Sequence, residues 1–297
     1  MNEANTASAS PESAQDSPLL VRKEGARLFV TFNRPAARNA LNEGMLSALD
    51  RLIERLETDP SVRVVIFRGA GKHFCAGGDI RERRSQTVEA HPGADSAMIQ
   101  NIQAGKMFLR LSRLPQTTVA VVEGYALGGG FGLACTMDIT VVKADAQLGL
   151  AETRIGVAPA QIAPHVVRRV GLSNARYLGL TGRRIDGKEA VRLGVAHEVA
   201  MTDEELDSKL GLLLDDIDRC GPIACATTKA IMDRVGDIPL DALVEYAGLR
   251  FGEINRGPEG IEGQQAFLEK RKPVWPMVRS SMMGEAKDVP TGQESGQ

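Results

Sequence analysis

The sequence has few of the residues that build redox and metal centres. Its 297 residues include only four cysteines and four histidines, and no two cysteines have the C-x-x-C spacing of a zinc or dithiol site. The histidines are scattered without a metal-ligand spacing. We therefore expect reduced, partly buried thiols, no metal and a cytoplasmic protein. These residues are Cys75, Cys135, Cys220 and Cys225, and His73, His91, His165 and His197.

Long apolar runs and a strong net charge are also missing. No stretch is long enough to cross a bilayer, and the net charge of −2 gives no reason to expect a nucleic-acid partner. Residues 1–18 are rich in Ser, Ala, Asn, Glu and Pro and contain no Lys or Arg, which argues against a secretory leader or an Arg-rich transit peptide. Residues 1–18 and 276–297 are predicted to be disordered tails.

Between these tails, apolar strand patterns alternate with helical patterns. Leu19–Lys23 and Arg27–Phe32 predict a hairpin, and Asn42–Asp59 has the apolar spacing of a helix with Asn42 as its N-cap. Continuous apolar strands separated by helices predict parallel sheets flanked by helices. The sequence therefore predicts an α/β core over residues 19–202, followed by a purely helical region over residues 203–275.

Two glycine-rich segments are the most informative feature of the chain, residues 73–80 (HFCAGGDI) and residues 124–132 (GYALGGGFG). They follow the predicted buried strands Val62–Phe67 and Thr117–Val122, and each is predicted to open a helix. Backbone N–H groups at two such turns can converge on one anion, as in an oxyanion hole. Neither segment matches a P-loop or the G-x-G-x-x-G dinucleotide fingerprint, so neither ATP nor a nicotinamide cofactor is expected.

The two segments resemble those of the crotonase superfamily, the enoyl-CoA hydratases and isomerases. Further motifs follow the order of that family: Asn33-Arg34-Pro35 with Arg38-Asn39-Ala40-Leu41, then Gly149-Leu150-Ala151-Glu152, then residues 267–272 (FLEKRK). The resemblance runs from about Leu19 to Trp275. It implies a ββα spiral core with C-terminal helices that mediate trimerisation, and two such trimers commonly stack into a hexamer.

The resemblance also implies the positions of the site residues. The backbone N–H groups of Gly78 and Gly129 match the two oxyanion donors, which would hold the oxygen of an acyl-CoA thioester as it gains charge. Glu152 matches the catalytic glutamate seven residues before a proline, here Pro159, and would act as a general acid/base. Coenzyme A is part of the substrate, so no separate cofactor is implied. The matching CoA-binding residues are Arg38, Ala76, Phe267 and Lys270, the last two reaching the CoA of a neighbouring subunit.

One position departs from the pattern of the family. Typical hydratases carry a second glutamate three residues after the middle glycine, where this chain has Gly132. Three interpretations stay open: Glu152 makes both proton transfers through a bound water, a distal carboxylate of the substrate orders the water, or the enzyme is a one-base isomerase. Gly132 also frees volume where a side chain would stand; this volume suits a bulky 3-substituent, and other occupants of the space stay open. Glu123 and Asp138 lie near the second segment and are interpreted as structural, with Glu123 as an alternative base.

Residues 156–167 resemble a bacterial branch of the family whose members hydrate 3-branched glutaconyl-CoA esters and tend to lack the same glutamate. Within that branch, Phe131-Gly132 and residues 159–164 (PAQIAP) are most similar to the enzyme of acyclic terpene breakdown. We therefore expect hydration of isohexenylglutaconyl-CoA. The alternatives are hydration of 3-methylglutaconyl-CoA in leucine breakdown and isomerisation of an enoyl-CoA. The retained Glu152 and both glycine segments argue against a binding protein without chemistry.

Overall fold

A six-stranded sheet organises the computed structural model, which describes residues 17–82 and 96–276. The strands of this sheet and of a smaller second one are β1 Leu19–Glu24, β2 Arg27–Phe32, β3 Val64–Gly69, β4 Thr117–Val122, β5 Tyr125–Leu127, β6 Ile139–Lys143, β7 Gln147–Gly149 and β8 Glu198–Ala200. The large sheet has the order β1-β2-β3-β4-β6-β8, and β5 pairs with β7 in the small one. Only β1 and β2 pair antiparallel; the other pairs are parallel.

Helices cover the sheet and form the C-terminal quarter of the described chain. Asn42 caps the first of them, because its side chain accepts a hydrogen bond from the N–H of Met45, as the sequence predicts. The helices are α1 Glu43–Leu56, α2 Ser96–Ser112, α3 Gly129–Thr136, α4 Ala163–Thr181, α5 Gly187–Arg192, α6 Asp203–Arg219, α7 Pro222–Met232, α8 Leu240–Arg256 and α9 Pro258–Leu268.

Both faces of the large sheet are buried at its central strands β3, β4 and β6, which explains why these strands are apolar at consecutive positions. In β3, Val65 and Phe67 belong to a core cluster that includes apolar residues of α1, α2 and α4. The alternate residues Val64 and Ile66 belong to a second cluster, with residues of α6 such as Leu210. A parallel sheet between two helical layers is therefore the framework on which the loops at the strand ends are built.

The small sheet carries the two glycine-rich segments side by side. Cys75 forms a bridge to Ala126 of β5, with the N–H of Cys75 donating to the carbonyl of Tyr125 and the N–H of Leu127 donating to the carbonyl of Cys75. Gly78 forms a further bridge to Leu41. Segments that are about fifty residues apart in the chain are thereby placed in adjacent, parallel paths.

The predicted fold class and most predicted elements are confirmed. The hairpin and β4 occur as expected. The sequence predicts helices over residues 204–219, 222–234, 240–255 and 259–269, and the observed helices begin and end within two residues of these limits. β3 begins at Val64 rather than Val62, because β2 begins at Arg27, which is the partner of Val64. The charged composition of residues 81–97 predicts a loop, whereas residues 81–82 and 96–97 are helical. The division of the chain at residue 203 stays a prediction.

The predicted tails fall almost entirely outside the described residues, as do residues 83–95 of the predicted loop. In the described ranges, no helix combines the length and apolar character needed to cross a bilayer.

Candidate active site

The two glycine segments meet at Gly77–Gly78 and Gly129. A Cβ atom built on Gly77 would lie 2.7 Å from the carbonyl oxygen of Leu127 and 3.5 Å from the nitrogen of Gly129. Gly77 also has a φ of +95°, a conformation that glycine adopts without strain. A Cβ atom on Gly129 would lie 3.8 Å from the nitrogen of Gly78. The two backbone N–H groups that the sequence predicts as oxyanion donors are therefore neighbours.

Among the residues that the structure describes, the surrounding hydrogen bonds do not use these two N–H groups. The bridge between Leu41 and the first segment uses the carbonyl of Gly77 and the N–H of Asp79, which flank Gly78. Gly129 is the first residue of α3, and the first N–H groups of a helix have no acceptor within that helix. The positive end of the helix dipole adds to the attraction for an anion there. The site can therefore hold a negatively charged oxygen between Gly78 and Gly129.

The carboxylate of Glu152 lies beside this pair. Glu152 begins a 3-10 helix over Glu152–Ile155, and its side chain reaches Gly128, the residue before the second donor. A Cβ atom on Gly128 would lie 2.7 Å from Oε1 of Glu152. Gly128 has φ +51° and ψ −122°, a backbone conformation open almost only to glycine. The structure thus brings together three residues that sequence comparison places in the site, Glu152, Gly78 and Gly129.

The volume beside Gly132 is filled, which corrects the expectation of an open space there. A Cβ atom on Gly132 would overlap Cγ2 of Ile162 and lie 2.6 Å from its Cβ. Ile162 is only 5% exposed and belongs to the main core cluster. The glycine is therefore required by the close approach of a branched side chain from the loop before α4. Close packing of this kind leaves no room for an additional methylene.

Arg38 lies in a basic and aromatic group near the first segment. Its carbonyl accepts a hydrogen bond from the N–H of Ala76, and its guanidinium lies 5.1 Å from the ring centre of Tyr125. Arg184 approaches the same ring at 5.8 Å, and His73 stacks on it at 4.8 Å. Burial, reinforced by the charge of Arg38, lowers the pKa of His73 below its ordinary value. An exposed pair of arginines around an aromatic ring suits a phosphate-bearing nucleotide.

Two of these residues escape sequence reasoning. Tyr125 is part of the second glycine segment but has no chemical role in the motif, and Arg184 lies almost sixty residues further along the chain. Ile185, which follows Arg184, forms an antiparallel bridge to Leu148 of β7, and β7 pairs with β5, which begins at Tyr125. This strand pairing brings Arg184 to Tyr125, and no sequence motif predicts it.

Phe267 and Lys270 lie at the end of the last helix. Phe267 is 84% exposed, so its ring contacts little of its own chain, and Lys270 follows with φ +52°. The structure of one chain therefore presents these two side chains outward. Their predicted role at the CoA of a neighbouring subunit stays a prediction.

The other acidic residues near the second segment have partners of their own. Glu123 is 8% exposed and its carboxylate lies 2.8 Å from the Arg68 guanidinium. Asp138 accepts hydrogen bonds from Thr118 and lies 2.8 Å from Nζ of Lys229. Both carboxylates connect structural elements. This agrees with their interpretation as structural residues and makes Glu123 a poor alternative base.

Cys75 lies between the two loops but is not a nucleophile at neutral pH. Its side chain is fully buried, and burial raises the pKa of its thiol to about 12. The thiol therefore remains protonated and fills space. Within residues 17–82 and 96–276, no group of three or more His, Cys, Asp and Glu residues is arranged to hold a metal ion.

Comparison with known proteins agrees with this geometry. Residues 22–277 match the family model described as enoyl-CoA hydratase/isomerase, and the chain therefore belongs to that family. It is 33% identical to the short-chain-enoyl-CoA hydratase of Clostridium acetobutylicum, over 86% of this chain and 95% of that protein. It is 32% identical to the 2,3-dehydroadipyl-CoA hydratase of Escherichia coli, over 86% and 98% of the two chains.

Among solved structures, the chain is similar to Pseudomonas aeruginosa AtuE, with 44% identity and a TM-score of 0.84 over 87% of this chain and 99% of that one. Together these similarities identify an enzyme of the hydro-lyase class that acts on enoyl-CoA thioesters.

Proposed function

We propose that the enzyme hydrates a 3-branched 2-enoyl-CoA ester with a second carboxylate, with isohexenylglutaconyl-CoA as the expected substrate. The observation that carries the proposal is the arrangement around α3: one carboxylate, Glu152, lies beside the paired N–H groups of Gly78 and Gly129, and Ile162 fills the neighbouring position. Within residues 17–82 and 96–276, Glu152 is the carboxylate that lies against Gly128, and such a site suits a substrate that supplies a second carboxylate.

In the proposed reaction the thioester oxygen accepts hydrogen bonds from the N–H groups of Gly78 and Gly129. Glu152 takes a proton from a water molecule, and the resulting hydroxide bonds to C3 of the ester. The electrons of the C2–C3 double bond move towards the thioester, whose oxygen gains negative charge between the two donors. Protonated Glu152 then gives the same proton to C2, so that one water molecule has been added.

The hydrogen bonds to the oxygen strengthen as charge develops on it. They therefore lower the barrier of the chemical step in addition to binding the ester. A single carboxylate can act in both proton transfers because it is a base in the first step and an acid in the second. We assign the nucleotide part of CoA to Arg38 and Ala76, with Tyr125 and Arg184 beside them.

One relative is named for a substrate that has a second carboxylate. The Escherichia coli relative is named for 2,3-dehydroadipyl-CoA, an unsaturated acyl group with a carboxylate at its far end. A distal carboxylate could order the attacking water in place of a second protein carboxylate. The same reasoning covers 3-methylglutaconyl-CoA, which differs from the proposed substrate in the length of its branch.

One observation favours a second candidate function, the migration of a double bond in an enoyl-CoA. That reaction needs an oxyanion hole and one base but no attacking water, and the geometry of Glu152, Gly78 and Gly129 is sufficient for it. The two reactions differ in their products, because only hydration adds the mass of water and incorporates oxygen from the solvent.

The function is tested by incubating the purified full chain with isohexenylglutaconyl-CoA, 3-methylglutaconyl-CoA and crotonyl-CoA in ¹⁸O-labelled water and measuring the mass of each product. We expect a labelled product and the highest kcat/KM with isohexenylglutaconyl-CoA. A higher kcat/KM with 3-methylglutaconyl-CoA would assign the enzyme to that ester instead. Failure to add water to any of the three would overturn the hydratase and favour the isomerase.

We also propose that the chain assembles as a trimer or as a dimer of trimers. The C-terminal helices leave several large apolar side chains in solvent, which is unusual for a monomeric surface. Light scattering should give three or six times the chain mass of 31.9 kDa, and Leu249→Ser with Phe251→Ser should lower it. A monomeric wild-type enzyme would contradict the proposal. The most exposed of these residues are Leu240, Leu249, Phe251, Phe267 and Leu268.

A further inference from the structure

Glu152 and Ile162, from residues 152–162, pack against two glycines at the start of α3. Gly128 immediately precedes this helix and Gly132 lies four residues later, joined by the hydrogen bond from the N–H of Gly132 to the carbonyl of Gly128. The Glu152 carboxylate covers Gly128 and the Ile162 side chain covers Gly132. The two side chains therefore cover residues that one backbone hydrogen bond joins.

The segment that carries Ile162 also contacts α2. A Cβ atom on Gly105 would lie 2.6 Å from Cδ of Gln161, and Nε2 of Gln161 donates to Oδ1 of Asn101 at 2.8 Å. Consecutive residues of the loop, Gln161 and Ile162, therefore pack on glycines of two different helices. This double contact fixes the path of the loop and the direction in which Ile162 points.

The position that Ile162 occupies has a defined place in the reaction. The thioester oxygen is assigned to the N–H of Gly129, and C3 lies two bonds beyond the thioester carbon, next to Glu152. A side chain at residue 132 would lie in the space that Ile162 now fills, one hydrogen-bonded turn from the glycine that Glu152 covers. A polar group there would be able to hold water next to the carboxylate, whereas an isoleucine cannot donate or accept a hydrogen bond.

We propose that Ile162 is a specificity-determining residue, which keeps a second water-holding group away from Glu152 and so restricts hydration to esters that carry their own second carboxylate. This inference rests on the proposed function. It makes Gly132 and Ile162 an interdependent pair, since residue 132 can bear a side chain only where residue 162 is small.

A pair of variants of equal shape tests the proposal. Ile162→Val and Ile162→Thr have β-branched side chains of nearly the same size and differ by a methyl and a hydroxyl group. We expect Ile162→Val to keep the wild-type ratio of kcat/KM between the branched dicarboxylic ester and crotonyl-CoA. Ile162→Thr is expected to shift that ratio at least tenfold towards crotonyl-CoA, because its hydroxyl can hold a water molecule. Equal ratios in the two variants would overturn the proposal.

The interdependence is tested by exchange of the pair. Gly132→Ala is expected to lower the Tm. In the double variant Gly132→Ala with Ile162→Ala, the Tm should fall by less than the sum of the two single-variant decreases, because the smaller residue 162 leaves room for the new methyl group. Additive Tm shifts would contradict the packing on which the proposal depends. Gly132→Glu with Ile162→Gly is expected to hydrate crotonyl-CoA at least tenfold faster than wild type; if this variant folds and gains nothing, the proposal is wrong.

Failure of the proposed function and failure of the proposed role of Ile162 would give different results. If the wild-type enzyme hydrates no dicarboxylic ester, the proposed function has failed before any variant is compared. If it hydrates the branched ester and both residue-162 variants keep the same selectivity, the function stands and the role of Ile162 is excluded. The Tm measurements need no substrate and decide the packing independently.

Discussion

The absence of a side chain at residue 128 decides where the Glu152 carboxylate can lie. A Cβ atom there would be 2.7 Å from Oε1 of Glu152, which is closer than such atoms pack, and the positive φ of Gly128 would be strained for any other residue. Gly128 therefore serves two purposes: it allows the turn into α3 and it admits the carboxylate to the first turn of that helix. Glycine is therefore required at residue 128 both for its backbone conformation and for the space that its missing side chain leaves to the carboxylate.

Replacement of this carboxylate by its amide is the direct test of its role. We expect Glu152→Gln to lower kcat by about 10²- to 10⁴-fold, because an amide of the same size can neither accept the proton of water nor protonate C2. The Tm should change little. The measurement is the steady-state rate with the preferred ester.

Glu123→Gln is the matched control. Its carboxylate pairs with Arg68, so we expect the variant to lower the Tm and leave kcat within a few-fold of wild type. A large loss of kcat in Glu123→Gln, with Glu152→Gln still active, would transfer the role of the base to Glu123.

Among the local elements, the turn after β2 is held to the first glycine segment by one side chain. Asn39 is fully buried, and its Oδ1 accepts a hydrogen bond from the N–H of Arg34 at 2.8 Å. Its Nδ2 donates to the carbonyls of Ala70 and His73 at 2.9 and 2.6 Å. The buried amide therefore satisfies three backbone groups from two loops that are distant in the chain.

Loss of this amide should destabilise the enzyme strongly. Asn39→Ala leaves three backbone groups without their partner, and each such group costs about 1–3 kcal/mol when it remains buried. The free energy of unfolding, measured in urea, should fall accordingly, and KM should rise because Arg38 and Ala76 lose their support. Asn42→Ala removes only the cap of α1, for which about 1 kcal/mol is expected; equal effects of the two variants would contradict this account.

The sequence predicts the regular strands and helices better than it predicts the contacts made by loops. Strands such as β4 and helices such as α1 follow from local apolar spacing, which is a property of neighbouring residues. The contact of Ile162 with Gly132 joins positions thirty residues apart and depends on the path of a loop with no periodic pattern. The sequence therefore predicts that Gly132 is unusual, but it does not identify Ile162 as the residue that fills the space beside it.

Within the whole molecule, α6 is joined to the sheet at its first residue. Asp203 forms ion pairs with Lys143, at the end of β6, and with Lys72, at 2.9 Å, in the loop before the first glycine segment. Hydrogen bonds from these lysines lower the pKa of Asp203 from its ordinary value of 3.8 to about 2. One carboxylate therefore links the C-terminal helices, the sheet and the loop that leads to the site.

This pKa predicts how stability depends on pH. The charged form of Asp203 is favoured in the folded state, so its contribution is complete above pH 4 and is lost as the pH falls towards 2. We expect Asp203→Asn to have a lower Tm than wild type at pH 7, with a difference that is constant down to about pH 5 and disappears near pH 2. Thermal unfolding at several pH values measures it. A difference that persists at pH 2 would show that the lost ion pairs are not responsible.

The burial of α3 has a consequence for the effect of ionic strength. From Gly130 to Thr136 this helix is buried, so dissolved ions are kept away from most of its peptide dipoles. Arg38 and Arg184 are exposed, and counter-ions weaken attraction at exposed charges, with a screening length of about 8 Å at physiological salt. Added salt should therefore raise KM while kcat stays nearly constant, and Arg38→Gln should reduce the rise. Such an enzyme would bind its substrate less well in a salt-rich cell but convert the bound molecule at an unchanged rate.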